Sequence, residues 1–176
     1  MRRRRLRWYV FGAQAAVAYG RPRMTADVDV AVAPGRVAVD ALLSILQQAG
    51  IRLRLQLSEG FLRDASLLPM VHVRTALPID VVLVGRGLQQ EFVARRRRVD
   101  VGGVRVPMIS PEDLVATKVL AGRRKDIEDI RGVLLEQQRF DFTRVRDVLG
   151  RLERALGDGR LLRRFERLVP RERGGR

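Results

Sequence analysis

The chain contains no cysteine and a single histidine, His72. The first absence excludes a disulfide scaffold, a thiol nucleophile and any zinc-thiolate centre. The second leaves Ser-His-Asp chemistry one candidate base and a histidine-rich metal site none of its ligands. Lysine is almost as scarce. Only Lys118 and Lys125 occur, and every other one of the 35 basic residues is arginine. No apolar run approaches the roughly 20 residues needed to cross a bilayer, so an integral membrane protein is excluded.

What remains is a chain of 176 residues, 46% of them apolar, enough to bury the core of one domain with a small helical appendage. Its 35 basic and 20 acidic residues leave a formal charge of +15, which points toward a polyanionic partner. Codon usage in a GC-rich genome accounts for arginine in place of lysine. It does not account for the excess of positive over negative charge. Arg2 to Arg5 followed by Trp8 to Ala18 mimics a signal peptide. Gly12 and Gln14 interrupt that stretch, and a cytoplasmic protein with a solvated arginine tail is expected.

Residues 8–12 are apolar and end at a glycine, which suits a short strand that turns into a helix over Ala13 to Tyr19. From Asp27, Val28, Val30 and Val32 alternate with Asp29 and Ala31, the pattern of a strand with one buried face. Helical spacing of Val39, Leu42, Leu43 and Leu46 predicts a helix ending at Gly50. Alternation over 51–57 predicts a second strand, and the β-branched run Ile79 to Val84 a third. Gly102-Gly103 signals a tight hairpin within 99–106. Ser110-Pro111-Glu112-Asp113 reads as an N-cap, proline at the first helical position and acids in the first turn. That helix runs to Gly122, a second starts near Asp126 with Ile127, Ile130 and Leu134 inward, and basic helices follow Asp141. The expected division is an α/β core over 1–109 and a helical region over 110–176. Trp8 and Tyr9 are expected as core anchors, and Arg95 to Arg98 as a solvent face.

The chemistry concentrates on aspartates. On a strand, Asp27 and Asp29 project from one face with Cβ atoms about 7 Å apart. Two carboxylates that close resist joint ionisation unless a cation lies between them. Oxygen-only ligands at this spacing suit Mg²⁺ or Mn²⁺. Asp80 heads a buried-looking strand that has little reason to tolerate a carboxylate, and beside the pair it completes a three-carboxylate cluster. Upstream, Phe11-Gly12-Ala13 turns into a helix whose free N–H groups suit an anion, and Arg23 and Thr25 lie at the mouth of the Asp27 strand. A metal, an N–H cradle and an arginine are the equipment for moving a nucleotide or phosphoryl group.

The segment FGAQAAVAYGRPRMTADVD, Phe11 to Asp29, resembles the signature of the polymerase-β-type minimal nucleotidyltransferases. Its sub-pattern Y-G-R-x-x-x-T-x-D-V-D is similar to the branch that contains the AbiEii and MenT toxins of toxin–antitoxin systems. The stretch SPEDLVATKVLAGRRKDIEDI extends that likeness, since toxins of the branch show E-D-L-x-x-x-K and then R-x-K-D-x-x-D. The resemblance implies a small mixed twisted sheet flanked by helices, with a helical C-terminal region. It implies a triphosphate at Gly12 and the Ala13 backbone, and metals on Asp27 and Asp29. Asp80 would join the second metal and help deprotonate the attacking hydroxyl. Lys118 would contact phosphate, and Arg123, Lys125, Asp126 and Asp129 match the family's last motif. Ala13 departs from the pattern, where glycine or serine is usual, so a hydroxyl contact to phosphate is missing. The implied partners are an NTP, an RNA acceptor such as tRNA and a cognate antitoxin protein. Two alternatives are an antitoxin-type enzyme that modifies a partner protein and a non-catalytic RNA-binding module. C-terminal arginines such as Arg163 and Arg164 are expected to hold RNA phosphates.

Overall fold

The structure is a computed structural model that describes residues 6–55 and 66–169. Two compact units divide the chain: Met1–Gln14 with Met24–Met108, and Ala15–Arg23 with Ile109–Arg176.

The first unit is built on a mixed sheet of seven strands in the order β3-β4-β5-β2-β1-β7-β6. Its strands are β1 (Arg7–Phe11), β2 (Val28–Ala33), β3 (Ile51–Leu53), β4 (Leu67–His72), β5 (Leu77–Leu83), β6 (Arg97–Val101) and β7 (Val104–Met108). Strand β2 runs antiparallel to β1, from Arg7 opposite Ala33 to Phe11 opposite Asp29. It runs parallel to β5, with Val28, Asp29 and Val30 beside Ile79, Asp80 and Val81. Period-two alternation therefore puts the valines of β2 with Ile79, Val81 and Leu83 of β5 on one face, and the aspartates on the other. The apolar face is covered by α2 (Val39–Gln48), where Leu42 packs with Val32, Leu68, Met70 and Val81 as a fully enclosed cluster. Each such side chain contributes roughly 1.5–3 kcal/mol by leaving water. Helix α3 (Leu88–Arg95) buries Phe92 and Val93. The β6–β7 hairpin turns on Gly102 and Gly103, with φ of 59° and 85°, the paired left-handed conformation that tight hairpins require.

Two expectations shift. The strand predicted over 51–57 closes at Leu53, and residues 56 and 57 lie outside the described ones. Arg54 still donates its N–H to the Pro69 carbonyl at 2.9 Å, but a proline has no N–H to return, so the ladder ends. Tyr9 is buried as expected, whereas Trp8 keeps 38% of its surface exposed.

The second unit gathers the end of α1 (Gly12–Tyr19) with α4 (Pro111–Ala121), α5 (Arg124–Glu136), α6 (Phe142–Leu156) and α7 (Leu161–Glu166). Helix α4 starts as predicted: the Ser110 side chain accepts from the Asp113 N–H at 3.2 Å, with Pro111 in the first turn. It closes on Gly122 at φ 63°, whose N–H donates to the Lys118 carbonyl. Leu114, Val115, Ala116 and Val119 have no exposed surface, so α4 is a central helix rather than an amphipathic one. Arg144 of α6 pairs with Asp113 at 2.9 Å. Arg164, expected to face RNA, instead donates to the Val119 carbonyl at 2.8 Å near the end of α4. The last turn of a helix leaves carbonyls without partners, and an arginine satisfies one here. No described helix is long and apolar enough to cross a membrane.

Gly20 lets α1 approach α5 closely. A Cβ there would stand 2.9 Å from the Val133 nitrogen and 3.0 Å from the Gly132 carbonyl carbon, both backbone atoms that cannot swing aside. Gly20→Ala is expected to cost about 1–3 kcal/mol, while Gly159→Ala, with open space around it, stays within about 0.5 kcal/mol of wild type. Urea unfolding of both variants checks this.

Candidate functional site

Asp29 is the best-defined residue of the acidic face. Phe11 lies opposite it on β1 and Asp80 beside it on β5. Neighbouring strands lie about 4.8 Å apart, so the Asp29 and Asp80 carboxylates start from adjacent rungs of one face. Gly12 ends β1 and begins α1 at φ 63°, and a Cβ on it would fall 1.8 Å from Asp29 Oδ2. Conformation and space both demand glycine there. Ala13 follows in the first turn of α1, among N–H groups that have no partner within the helix.

Asp27 precedes β2 and accepts from the Thr25 hydroxyl at 2.9 Å, while its carbonyl accepts from Gln14 Nε2 at 3.4 Å. Asp80 accepts from the Arg54 guanidinium. Thus the structure places Asp29 and Asp80 together and Asp27 two residues upstream. Among the described residues, however, no three acidic or histidine side chains converge closely enough to hold a metal as they stand. The donor set nevertheless fits a hard divalent cation. Its ligands are carboxylate oxygens alone, and a guanidinium already stands on Asp80 as a cation.

The other predicted residues form a buried ion cluster in the second unit. Lys118 donates to Asp126 at 3.1 Å and Asp129 at 2.7 Å. Arg23 grips Asp129 through Nε and Nη2 at 2.7 and 2.9 Å. Arg123 caps α5, with its side chain and its N–H both donating to Asp126. Lys118 is thus no exposed helix position. Its side chain is 7% exposed, and those of the two aspartates 0% and 5%. Burial pushes both carboxyls up, yet the hydrogen bonds and charges of Lys118 with Arg123, or Lys118 with Arg23, outweigh it. Asp126 and Asp129 sit below the usual carboxylate range. Lys125 is exposed on α5, outside the cluster. His72, the last residue of β4, meets the Thr75 hydroxyl of the β4–β5 turn at 2.7 Å. Sequence reasoning missed Arg54. Its alternation with Arg52 marks a polar face, but only the register of three strands brings it to Asp80.

The family described as "Nucleotidyltransferase of unknown function (DUF6036)" matches residues 2–155. No curated protein matches the chain in sequence. Among solved structures, the fold is similar to that of the antibiotic-resistance factor ANT(2'')-Ia in solution, with TM-score 0.59 and 13% identity over 86% of this chain and 84% of that one. A crystal structure of ANT(2'')-Ia with adenylyl-2''-tobramycin gives 0.57 and 15% over 86% and 89%. An antigenic nucleotidyltransferase-like protein from Paracoccidioides brasiliensis gives 0.54 and 19% over 87% and 82%. The mixed sheet with flanking helices is therefore the nucleotidyltransferase fold.

Asp126 and Asp129 contribute stability that is complete above their unfolded pKa near 3.8 and lost as pH falls through their depressed folded values. Asp126→Asn is expected to weaken the decline in stability between about pH 5 and pH 2. Lys118→Met, which leaves both carboxylates short of their shared cation, should cost about 3 kcal/mol or more at neutral pH. Urea titrations across that pH range measure both, and an unchanged midpoint in Lys118→Met contradicts the cluster's role.

Proposed function

Because the chain belongs to the nucleotidyltransferase family DUF6036, we propose that Asp27, Asp29 and Asp80 serve the transfer of a nucleoside monophosphate from an NTP to an acceptor hydroxyl. The observation that carries this is the adjacent placement of Asp29 and Asp80 on one sheet face, with Asp29 against the glycine that opens α1.

Each residue has a distinct task. The N–H groups of Gly12 and Ala13 hold the triphosphate, and Thr25 orients Asp27. Asp27, Asp29 and Asp80 would hold Mg²⁺ or Mn²⁺, whose chemistry when bound is to neutralise charge building on the phosphates. The acceptor oxygen bonds to the α-phosphorus as the bond to pyrophosphate breaks, and the hydroxyl proton passes to the Asp80 carboxylate and on to solvent. By resemblance Lys118 is the phosphate-contacting lysine and Asp126 belongs to the last motif. Lys118 can meet phosphate only by exchanging one of its two aspartates, so its constant work is to hold α4, α5 and Arg23 together.

The acceptor we assign is an RNA 3′ hydroxyl, with tRNA favoured, and the role that of a toxin paired with an antitoxin protein. The motif from Tyr19 to Asp29 and the charge of +15 support this. A polycationic acceptor of the tobramycin kind is disfavoured by the same charge. Ala13, which lacks the hydroxyl usual there, favours a passive RNA-binding module as the second reading.

Purified protein, total RNA, each labelled NTP and Mg²⁺ or Mn²⁺ test this. Label is expected at RNA 3′ ends. Asp29→Asn, Asp80→Asn and Gly12→Ala should each lower transfer by about a hundred-fold or more, while RNA binding by Asp80→Asn survives. Firm RNA binding by wild type with no transfer from any NTP would hand the case to the passive module.

A further inference from the structure

Arg54 is not part of the resemblance, and its position is specific. Its N–H bonds to the Pro69 carbonyl at 2.9 Å, Pro69 stands opposite Asp80, and Asp80 stands beside Asp29. One row therefore crosses three strands and the residue just past β3 on the acidic face: Arg54, Pro69, Asp80, Asp29. Arg54 and Asp80 are two strand spacings apart, about 9.6 Å between backbones. A long cationic side chain spans that distance above the proline ring, which offers no polar group to intercept it. The guanidinium meets Asp80 Oδ1.

We propose that Arg54 is an internal counter-ion for Asp80, one that a divalent cation displaces on entering the site. The inference rests on the reading of Asp27, Asp29 and Asp80 as the metal-binding set. Asp29 and Asp80 stand on adjacent rungs, and two carboxylates that close repel each other unless positive charge is supplied. Without metal, Arg54 supplies it to Asp80. The bond can be exchanged because it is wet: the Arg54 and Asp80 side chains are 36% and 30% exposed, and exposed pairs bind weakly. Lys118 makes the contrast, since its pairs with Asp126 and Asp129 are buried and would leave a stranded charge if broken. The acidic face thus carries a cation that can be displaced, and the second unit one that is fixed.

Mn²⁺ binding to the free full-length protein, followed by electron paramagnetic resonance of unbound Mn²⁺, tests this without any turnover. Arg54→Gln should tighten Mn²⁺ binding by roughly three- to ten-fold, the size expected for losing one exposed competing charge. Arg54→Lys should stay near wild type. In an Asp80→Asn background, Arg54→Gln should change nothing. A merely structural arginine predicts the opposite sign, because its loss would loosen the site. A second measurement keeps the arginine in place: the Arg54 Nε–H resonance of wild type should shift on adding Mg²⁺, and should not in Asp80→Asn. Equal or weaker Mn²⁺ binding by Arg54→Gln, or an unmoved resonance at saturating Mg²⁺, overturns the inference while the metal site stands, provided Asp29→Asn weakens Mn²⁺ binding. If Asp29→Asn binds Mn²⁺ as wild type does, the metal-site reading fails and takes the inference with it.

Discussion

Strand β2 has no freedom to slide. Its valines close a core with Leu42, Leu68 and Met70, and a one-residue slip would put them on the polar face and the aspartates in that core. The register that hides the valines is the same register that sets Asp29 beside Asp80 and opposite Phe11. Gly12 then fixes Asp29 from the other side, because no other residue leaves room for its carboxylate. Hydrophobic burial on one face thereby determines carboxylate spacing on the other. The acidic row needs no stabilising energy of its own; it is carried by the core behind it.

The second unit solves a different problem with the opposite means. Helix α4 is buried over most of its length, Lys118 included, so that lysine must be paired or expelled. Lys118 is paired twice, to residues one turn apart on α5, and each of those aspartates has a second cation, Arg123 or Arg23. A compact ammonium reaches two carboxylates from one point, where a planar guanidinium would need more room. This gives a physical reason for one of the only two lysines in a chain that otherwise writes arginine. Arg23 also ties the segment that follows α1 to α5.

Period-two alternation and the punctuation of Gly12, Gly102-Gly103 and Ser110-Pro111 made most strands and helices legible, because each signal is local. The nucleotidyltransferase fold was legible through the spacing from Phe11 to Asp29. The 51–57 strand was misjudged because its end is decided by Pro69, a residue on another strand. Arg54 was invisible for the same reason, since its partner depends on three strands in register. Arg164 looked like one more surface arginine, and only the close of α4 reveals its use. The two aspartates that hold Lys118 were likewise not legible, because α4 and α5 meet only in the fold. Charge type could be read along the chain; charge pairing could not.

That distinction bears on the acceptor. Every pair such as Arg144 with Asp113, or Arg146 with Glu166, removes one charge of each sign and leaves the surplus of +15 untouched. Among the described residues the cation that is buried, Lys118, has carboxylate partners, so the surplus there lies at the surface. Some of it has a reason unrelated to any ligand: Arg97 and Arg98 stand exposed on β6, an edge strand, where charge deters pairing with another chain. More lies elsewhere, at Arg131, Arg139, Arg154 and Arg163, all exposed on or beside the helices of the second unit. A surplus spread over many exposed side chains acts through the summed field rather than through one pocket. A summed positive field of this kind is the electrostatic support for the polyanionic acceptor proposed above.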